Sequence, residues 1–244
     1  MNYKLEIIYD GTDFFGWQSQ KNQRTVQGDI ESALKNILKI DSVNVIGSGR
    51  TDSGVHANAQ IANVFLETRM SSVQLMKALN RKLSNDVFIK DCMLVDEKFN
   101  ARFSAKKREY LYYITDTYSP INRQYSWNCK WEFDKNKLRE CAAMLIGEND
   151  FTLFSRASSE TKNKICCIYE SSWNFESDIS IYHISGNRFL QHMVRLLVGT
   201  MIEVGRNRLS LIDFQNILKC KDTNTYAVRA PALGLFLNRI HYDL

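Results

Sequence analysis

The chain has 244 residues, 44% hydrophobic and 24% charged, with 32 Lys and Arg against 27 Asp and Glu for a formal charge of +5. That length buries a substantial core as one large domain or two of ordinary size. No stretch approaches a membrane span, since the longest apolar run, Met193 to Val204, is broken by Arg195 and Glu203, and Met1-Asn2-Tyr3-Lys4-Leu5-Glu6 lacks a signal-peptide core, so a soluble, cytoplasmic chain is expected.

In chain order, Tyr3 to Tyr9 predicts a strand, and Thr25 is placed to cap a helix in which Val26, Ile30, Ala33, Leu34, Ile37 and Leu38 recur at helical spacing. Val43 to Gly47 and Ala59 to Leu66 read as strands flanking a glycine-rich loop. Ser71 with Gln74 three residues on predicts a capping box for a helix carrying Leu75, Met76, Leu79 and Leu83, and Val87 to Val95 predicts the next strand. Strand, helix, strand, strand, helix, strand is the split βαβ order.

The remainder repeats the theme less regularly. Tyr110 to Thr115 reads as a strand, and a helix follows from Asp134 with Leu138, Cys141, Ala142 and Leu145 on one face. Lys164 to Trp173 and Ile179 to Ile184 read as paired strands, Phe189 to Val204 and Ser210 to Leu218 as helices, and Gly234 to Tyr242 as a last strand. Two related α+β halves are expected, residues 1–104 and 105–244, with no proline-rich linker between them, since only Pro120 and Pro231 occur.

Chemistry concentrates in Gly47-Ser48-Gly49-Arg50-Thr51-Asp52-Ser53-Gly54-Val55-His56-Ala57, where a single carboxylate stands beside a guanidinium on a loop freed by glycines. A hairpin turn whose Asp and Ser bond their own backbone is the plainer alternative, but it leaves Arg50 and His56 unexplained. A phosphate-cradling loop fits poorly, because the glycine spacing is not G-x-G-x-x-G and no Gly-Lys-Ser/Thr follows. Arg195 is the second unusual residue, lying among Met193, Val194, Leu196, Leu197 and Val198 in a helix that is apolar almost all round. A guanidinium there needs a carboxylate or carbonyls close by, unless it snorkels to solvent.

Charge points mildly to a polyanion: 13 basic against 12 acidic residues in 1–104, and 19 against 15 in the rest. More telling is Lys106-Lys107-Arg108 running into Tyr110-Leu111-Tyr112-Tyr113, since cations interleaved with aromatics suit phosphates and unstacked bases, although a solvated charge run before an ordinary strand reads the same way. Six cysteines show no C-x-x-C pair and four histidines no ligand spacing, so reduced, mostly buried thiols and no metal site are expected.

The Asp52 loop resembles the signature of the TruA family of tRNA pseudouridine synthases. Four further stretches fit in order: Tyr9 to Gln18, Ala101-Arg102-Phe103-Ser104-Ala105 running into Arg108 to Tyr113, Phe189 to Arg195, and Gly234 to Leu237. The resemblance spans nearly the whole chain. It implies two RRM-like (ferredoxin-like) halves, their mainly antiparallel sheets joined around a central cleft with helices on the outer faces. It implies isomerisation of uridine to pseudouridine in the anticodon stem-loop of tRNA, without a cofactor, by a homodimer. It makes Asp52 the catalytic residue, Arg195 the cation that holds it ionised, Tyr110 the ring on which the extruded base stacks, Arg50 a nucleotide-flipping or phosphate contact, and Leu235 and Leu237 apolar walls of the pocket. Trp17 and Gln18 line the RNA side in this reading, while an edge-packed Trp17 is the alternative.

Breaking the N1 to C1′ bond, turning the uracil and rejoining it through C5 needs no redox partner or energy source. It needs a carboxylate near sugar and base, cations for developing charge, and a closed pocket. Attack at C1′, attack at C6 and removal of the 2′ hydrogen all remain open. Ser84, Asn100 and Cys166 depart from the family's usual Pro, His and Arg, none at a proposed catalytic position. A non-catalytic RRM-like RNA-binding module and a synthase acting on other RNA are the competing readings; a pure binder has little use for a carboxylate facing phosphates.

Overall fold

The computed structural model describes residues 1–156, 161–221 and 226–243. It is a mixed α/β chain that divides into two compact units, one of Met1–Lys106 together with the residues from Leu237 on, the other of Lys107–Phe236.

The first unit opens with β1 (Asn2–Tyr9), α1 (Val26–Leu38), β2 (Val45–Gly47), β3 (His56–Phe65), α2 (Ser72–Lys82) and β4 (Val87–Val95). Strand β1 pairs antiparallel with β3 on one side, Leu5 opposite Ala62, and with β4 on the other, Leu5 opposite Cys92. Alternation decides the faces: Tyr3, Leu5, Ile7 and Tyr9 are buried, while Lys4, Glu6 and Ile8 lie on the other side of the sheet and are only half-buried. Helix α1 starts where Thr25 accepts from the Gly28 N–H, and α2 starts in the Ser71 and Gln74 capping box that the sequence predicts. Their apolar stripes, Val26, Ile30 and Leu34 on α1 and Leu75 and Leu79 on α2, are buried, with α2 packed on β4.

Next come β5 (Ala105–Thr115), β6 (Trp127–Asn128), α3 (Lys135–Ala143), β7 (Gly147–Asp150), β8 (Ile165–Phe175), β9 (Ile179–Gly186), α4 (Met193–Gly205), α5 (Leu211–Leu218) and β10 (Leu235–Tyr242). In the second unit the hydrogen-bonded order is β5-β9-β8-β7, antiparallel throughout, with the short β6 parallel to β5. Its core gathers Tyr112, Tyr182, Trp173, Phe154, Phe214 and Met201. The C-terminal strand returns to the first unit, where β10 lies beside β3 in the order β4-β1-β3-β10.

Three local expectations change. The helix expected from Phe189 begins at Met193, because His192 takes the left-handed conformation at φ 67°, which a helix interior excludes. Phe189 instead meets the Tyr110 ring edge-on at 5.1 Å. Strand β5 starts at Ala105 rather than Tyr110, so the Lys106-Lys107-Arg108 run lies within it. Lys106 pairs with Asp243 at 3.1 Å, Lys107 with Glu109 at 3.0 Å, and Arg108 donates to the Asn187 carbonyl, so all three of these cations have protein partners. Strands β6 and β7 lack the apolar alternation that marks a strand in sequence. Of the cysteines, Cys92, Cys129, Cys141 and Cys166 are buried, Cys167 is half-buried and Cys220 exposed, all as free thiols.

Candidate active site

Asp52 stands half-buried on the loop between β2 and β3, and its neighbours are fixed from beneath. The buried Ser48 donates its hydroxyl to Gln60 Oε1 at 2.7 Å, and Gln60, wholly buried on β3, returns an Nε2 hydrogen bond to the Gly49 carbonyl at 3.0 Å. On the other side of Arg50, the Thr51 hydroxyl shares a 2.7 Å hydrogen bond with the Tyr9 hydroxyl, both groups buried. The Thr51 carbonyl accepts from the Trp17 N–H. After Asp52 the chain turns tightly: Val55 N–H donates to the Asp52 carbonyl, Gly54 takes φ 77°, and Gly54 N–H and the Ser53 hydroxyl both donate to the Phe14 carbonyl.

The segment from Asp10 to Trp17 is the cradle of this loop. Gly11 N–H lies 3.0 Å from Nδ1 of the buried His56. Asp10 Oδ1, 3.1 Å from the same nitrogen, accepts from the Thr12 N–H and hydroxyl. Close approach explains the glycine: a Cβ on Gly11 would sit 2.0 Å from the Val55 carbonyl oxygen. Trp17 is 2% exposed, its indole so close to Gly47 that a Cβ there would lie 2.5 Å away; it packs under the loop instead of facing outward. Arg50 is exposed, and its Nε donates to Gln18 at 3.0 Å. The arrangement holds one carboxylate in a defined place with a guanidinium two residues away, which suits preorganised electrostatic or nucleophilic chemistry.

In the second unit, Arg195 occupies the first turn of α4, half-buried. Its Nε donates to the Ala230 carbonyl at 2.9 Å, and its own carbonyl accepts from the Ala230 N–H. Thus carbonyl oxygen meets at least part of the demand of a guanidinium in an apolar helix. The segment from Val228 to Ala230 lies against α4 where Gly199 leaves room, a Cβ there falling 2.2 Å from the Val228 carbonyl, while Thr200 accepts the Val228 N–H. Beside it the Tyr112 hydroxyl donates to the Pro231 carbonyl at 2.8 Å. Burial pushes this phenol well above its usual range, opposed by the positive charge of Arg195. Tyr110 is buried on β5 against Phe189.

Arg50, Asp52 and Leu237 therefore belong to the first unit, Tyr110, Arg195 and Leu235 to the second. Leu235 and Leu237 are two residues apart on β10 and both buried, as residues on one strand face are. Among the described residues, no three His, Cys, Asp or Glu gather as a metal-ligand set. A shallow depression of about 510 Å³ lined by Met1, Leu66, Glu67, Thr68 and Arg69 lies at the far end of β3 from Asp52. Sequence reasoning missed the supports Tyr9, Ser48 and Gln60. Gln60 had a readable signal, a polar residue within the apolar run of β3; the Tyr9 contact, 42 residues from its partner, had none.

A family model described as tRNA pseudouridine synthase matches residues 7–104 and 141–243. A tRNA pseudouridine synthase A from Dictyoglomus turgidum is 41% identical over 245 residues, covering 99% of each chain. One from Caldicellulosiruptor saccharolyticus is 40% identical, also with 99% of each covered. Among solved structures, an archaeal box H/ACA ribonucleoprotein complex overlaps with a TM-score of 0.34 at 12% identity, over 82% of this chain and 44% of that one.

Proposed function

The chain belongs to the tRNA pseudouridine synthase family, and from that premise we propose that it isomerises uridine to pseudouridine in the anticodon arm of tRNA with Asp52 as the catalytic carboxylate. The observation that carries the assignment is the loop itself. Residues on both sides of Asp52 are tied by buried hydrogen bonds to β1, β3 and the Asp10 to Trp17 cradle, while Asp52 is only half-buried. A loop built so heavily around one acid serves to place that acid, because a misplacement of about 1 Å costs on the order of a hundredfold in rate.

The reaction breaks the N1 to C1′ bond, turns the uracil, and forms the C5 to C1′ bond. The C5 proton is lost and N1 gains one, so nothing is oxidised or reduced. The family reading further assigns Arg195 to steady the Asp52 carboxylate, Tyr110 to stack on the extruded base, Arg50 to the flipped nucleotide or its phosphate, and Leu235 and Leu237 to the apolar walls. Two RRM-like halves, a homodimer around the tRNA, and a cytoplasmic location complete the proposal. Uridine in a stem is stacked, so a base-flipping step belongs to it.

Tritium release from tRNA labelled at uridine C5 tests the assignment. Asp52→Ala abolishes release while tRNA affinity stays within about tenfold, roughly 1.4 kcal/mol. Equal release from variant and wild type removes the carboxylate from the mechanism.

A further inference from the structure

We propose that the loop from Asn100 to Ser104 is an RNA-docking point at which Phe103 stacks on an unpaired nucleobase and Arg102 meets the adjoining phosphate. This rests on the tRNA-directed reading above and adds a contact outside the Asp52 loop.

Phe103 is 79% exposed. A single exposed aromatic needs no explanation by itself; the loop beneath this one does. Ala101, wholly buried, donates its N–H to Asn63 Oδ1 at 2.8 Å, and its carbonyl accepts from the Tyr242 hydroxyl at 2.7 Å. Asn63 in turn donates to Asn2 Oδ1, and Asn2 Nδ2 donates to the carbonyls of Asp96 and Phe99. Asn2 and Asn63 are 1% and 0% exposed. Amides so buried are tolerated only when bonded, and these bonds lead to the base of this loop. Above them Asn100 Oδ1 accepts the N–H groups of both Arg102 and Phe103, while Asn100 and Ser104 exchange two further bonds. The two tip side chains are thus presented by fixed backbone, which lowers the ordering cost of binding.

The tip chemistry selects the partner. The Arg102 guanidinium carbon lies 5.5 Å from the Phe103 ring centroid, and the neighbouring exposed residues Glu97, Lys98 and Lys106 are charged. A docking patch for protein would surround its aromatic anchor with apolar area that excludes water. An aromatic face with a cation beside it is what an unpaired base and its phosphate require, and such stacking tolerates any base. Paired RNA hides its base faces, so the contact falls on a loop or an end.

The test measures binding of full-length protein to unmodified tRNA transcript. Phe103→Ala raises Kd about tenfold with the melting temperature unchanged, Phe103→Trp restores wild-type affinity, and Arg102→Gln weakens binding and flattens its dependence on salt. The proposal is overturned if Phe103→Ala binds like wild type. It is also overturned if that variant changes the association state while affinity per site stays constant, which would mark a protein interface. Wild-type protein that fails to bind tRNA refutes the tRNA-directed reading itself, and this proposal with it.

Discussion

Tyr9→Phe separates positioning of Asp52 from everything else in the chain. The substitution removes one oxygen, whose 2.7 Å hydrogen bond to the Thr51 hydroxyl is sealed from water, Tyr9 being 2% and Thr51 7% exposed. A made hydrogen bond contributes about 1 kcal/mol net, but leaving a buried hydroxyl without this partner costs about 1–3 kcal/mol, so the variant should lose roughly 2 kcal/mol in urea unfolding. Thr51→Val should lose a similar amount. Together the two should lose little more than either alone, since each single change already breaks the pair, and a coupling of about 1–2 kcal/mol is expected. Because Thr51 is the residue before Asp52, the kinetic effect should fall on the chemical step. Single-turnover tritium release should slow by about tenfold or more, with tRNA affinity unchanged. Additive stability losses, or a variant with wild-type turnover at saturating tRNA, would refute the claim that this hydrogen bond holds the loop.

Two other perturbations probe the supports. Gly11→Ala drives a Cβ to within 2.0 Å of the Val55 carbonyl oxygen. The turn after Asp52 must shift, so a loss of about 2–3 kcal/mol and collapse of turnover are expected, checked by thermal melting and tritium release. Arg24 grips Asp86 with two hydrogen bonds of 2.8 and 2.9 Å, and its guanidinium lies 4.1 Å from the Phe14 ring centroid. Burial raises the Asp86 carboxyl, but hydrogen bonds from Arg24 and Ser84 and the Arg24 charge outweigh it and hold it below the ordinary carboxylate range. A depressed acid contributes stability above the unfolded value, near pH 4, and loses it as pH falls through the folded one. Arg24→Ala should therefore cost on the order of 1 kcal/mol at pH 7, after allowance for partial exposure, and its stability should fall less steeply below pH 4. Acid titrations of both proteins in urea measure this; parallel curves would contradict it.

What was legible in the sequence was local. Thr25 and the Ser71 and Gln74 pair announce helix starts because a cap and its N–H are three residues apart, and the structure has both. The Asp52 loop was legible for the same reason, its glycines and polar residues lying in one run. Features set by partners far along the chain were hidden. The Lys-Lys-Arg run gives no sign that Glu170, Asn187 and Asp243 await it from far along the chain. Nor does Phe189-Leu190-Gln191-His192, apolar enough to continue a helix, reveal that His192 turns the backbone left-handed. The scaffold of Tyr9, Ser48 and Gln60 lies furthest from reach, since a buried polar group shows its purpose only beside its partner.

The return of β10 to the edge of β3 has a consequence for synthesis. A ribosome delivers β1 to β4 more than a hundred residues before β10, and until then β2 covers only Ala62 to Val64 of that edge, leaving the rest of it with open backbone donors and acceptors. The hydroxyl of Tyr242, which pins the Ala101 carbonyl, arrives later still. A nascent chain stalled before Leu235 would thus hold the Asp52 loop in an incompletely closed sheet, vulnerable to pairing with another copy. Synthesis of β10 is what seals it.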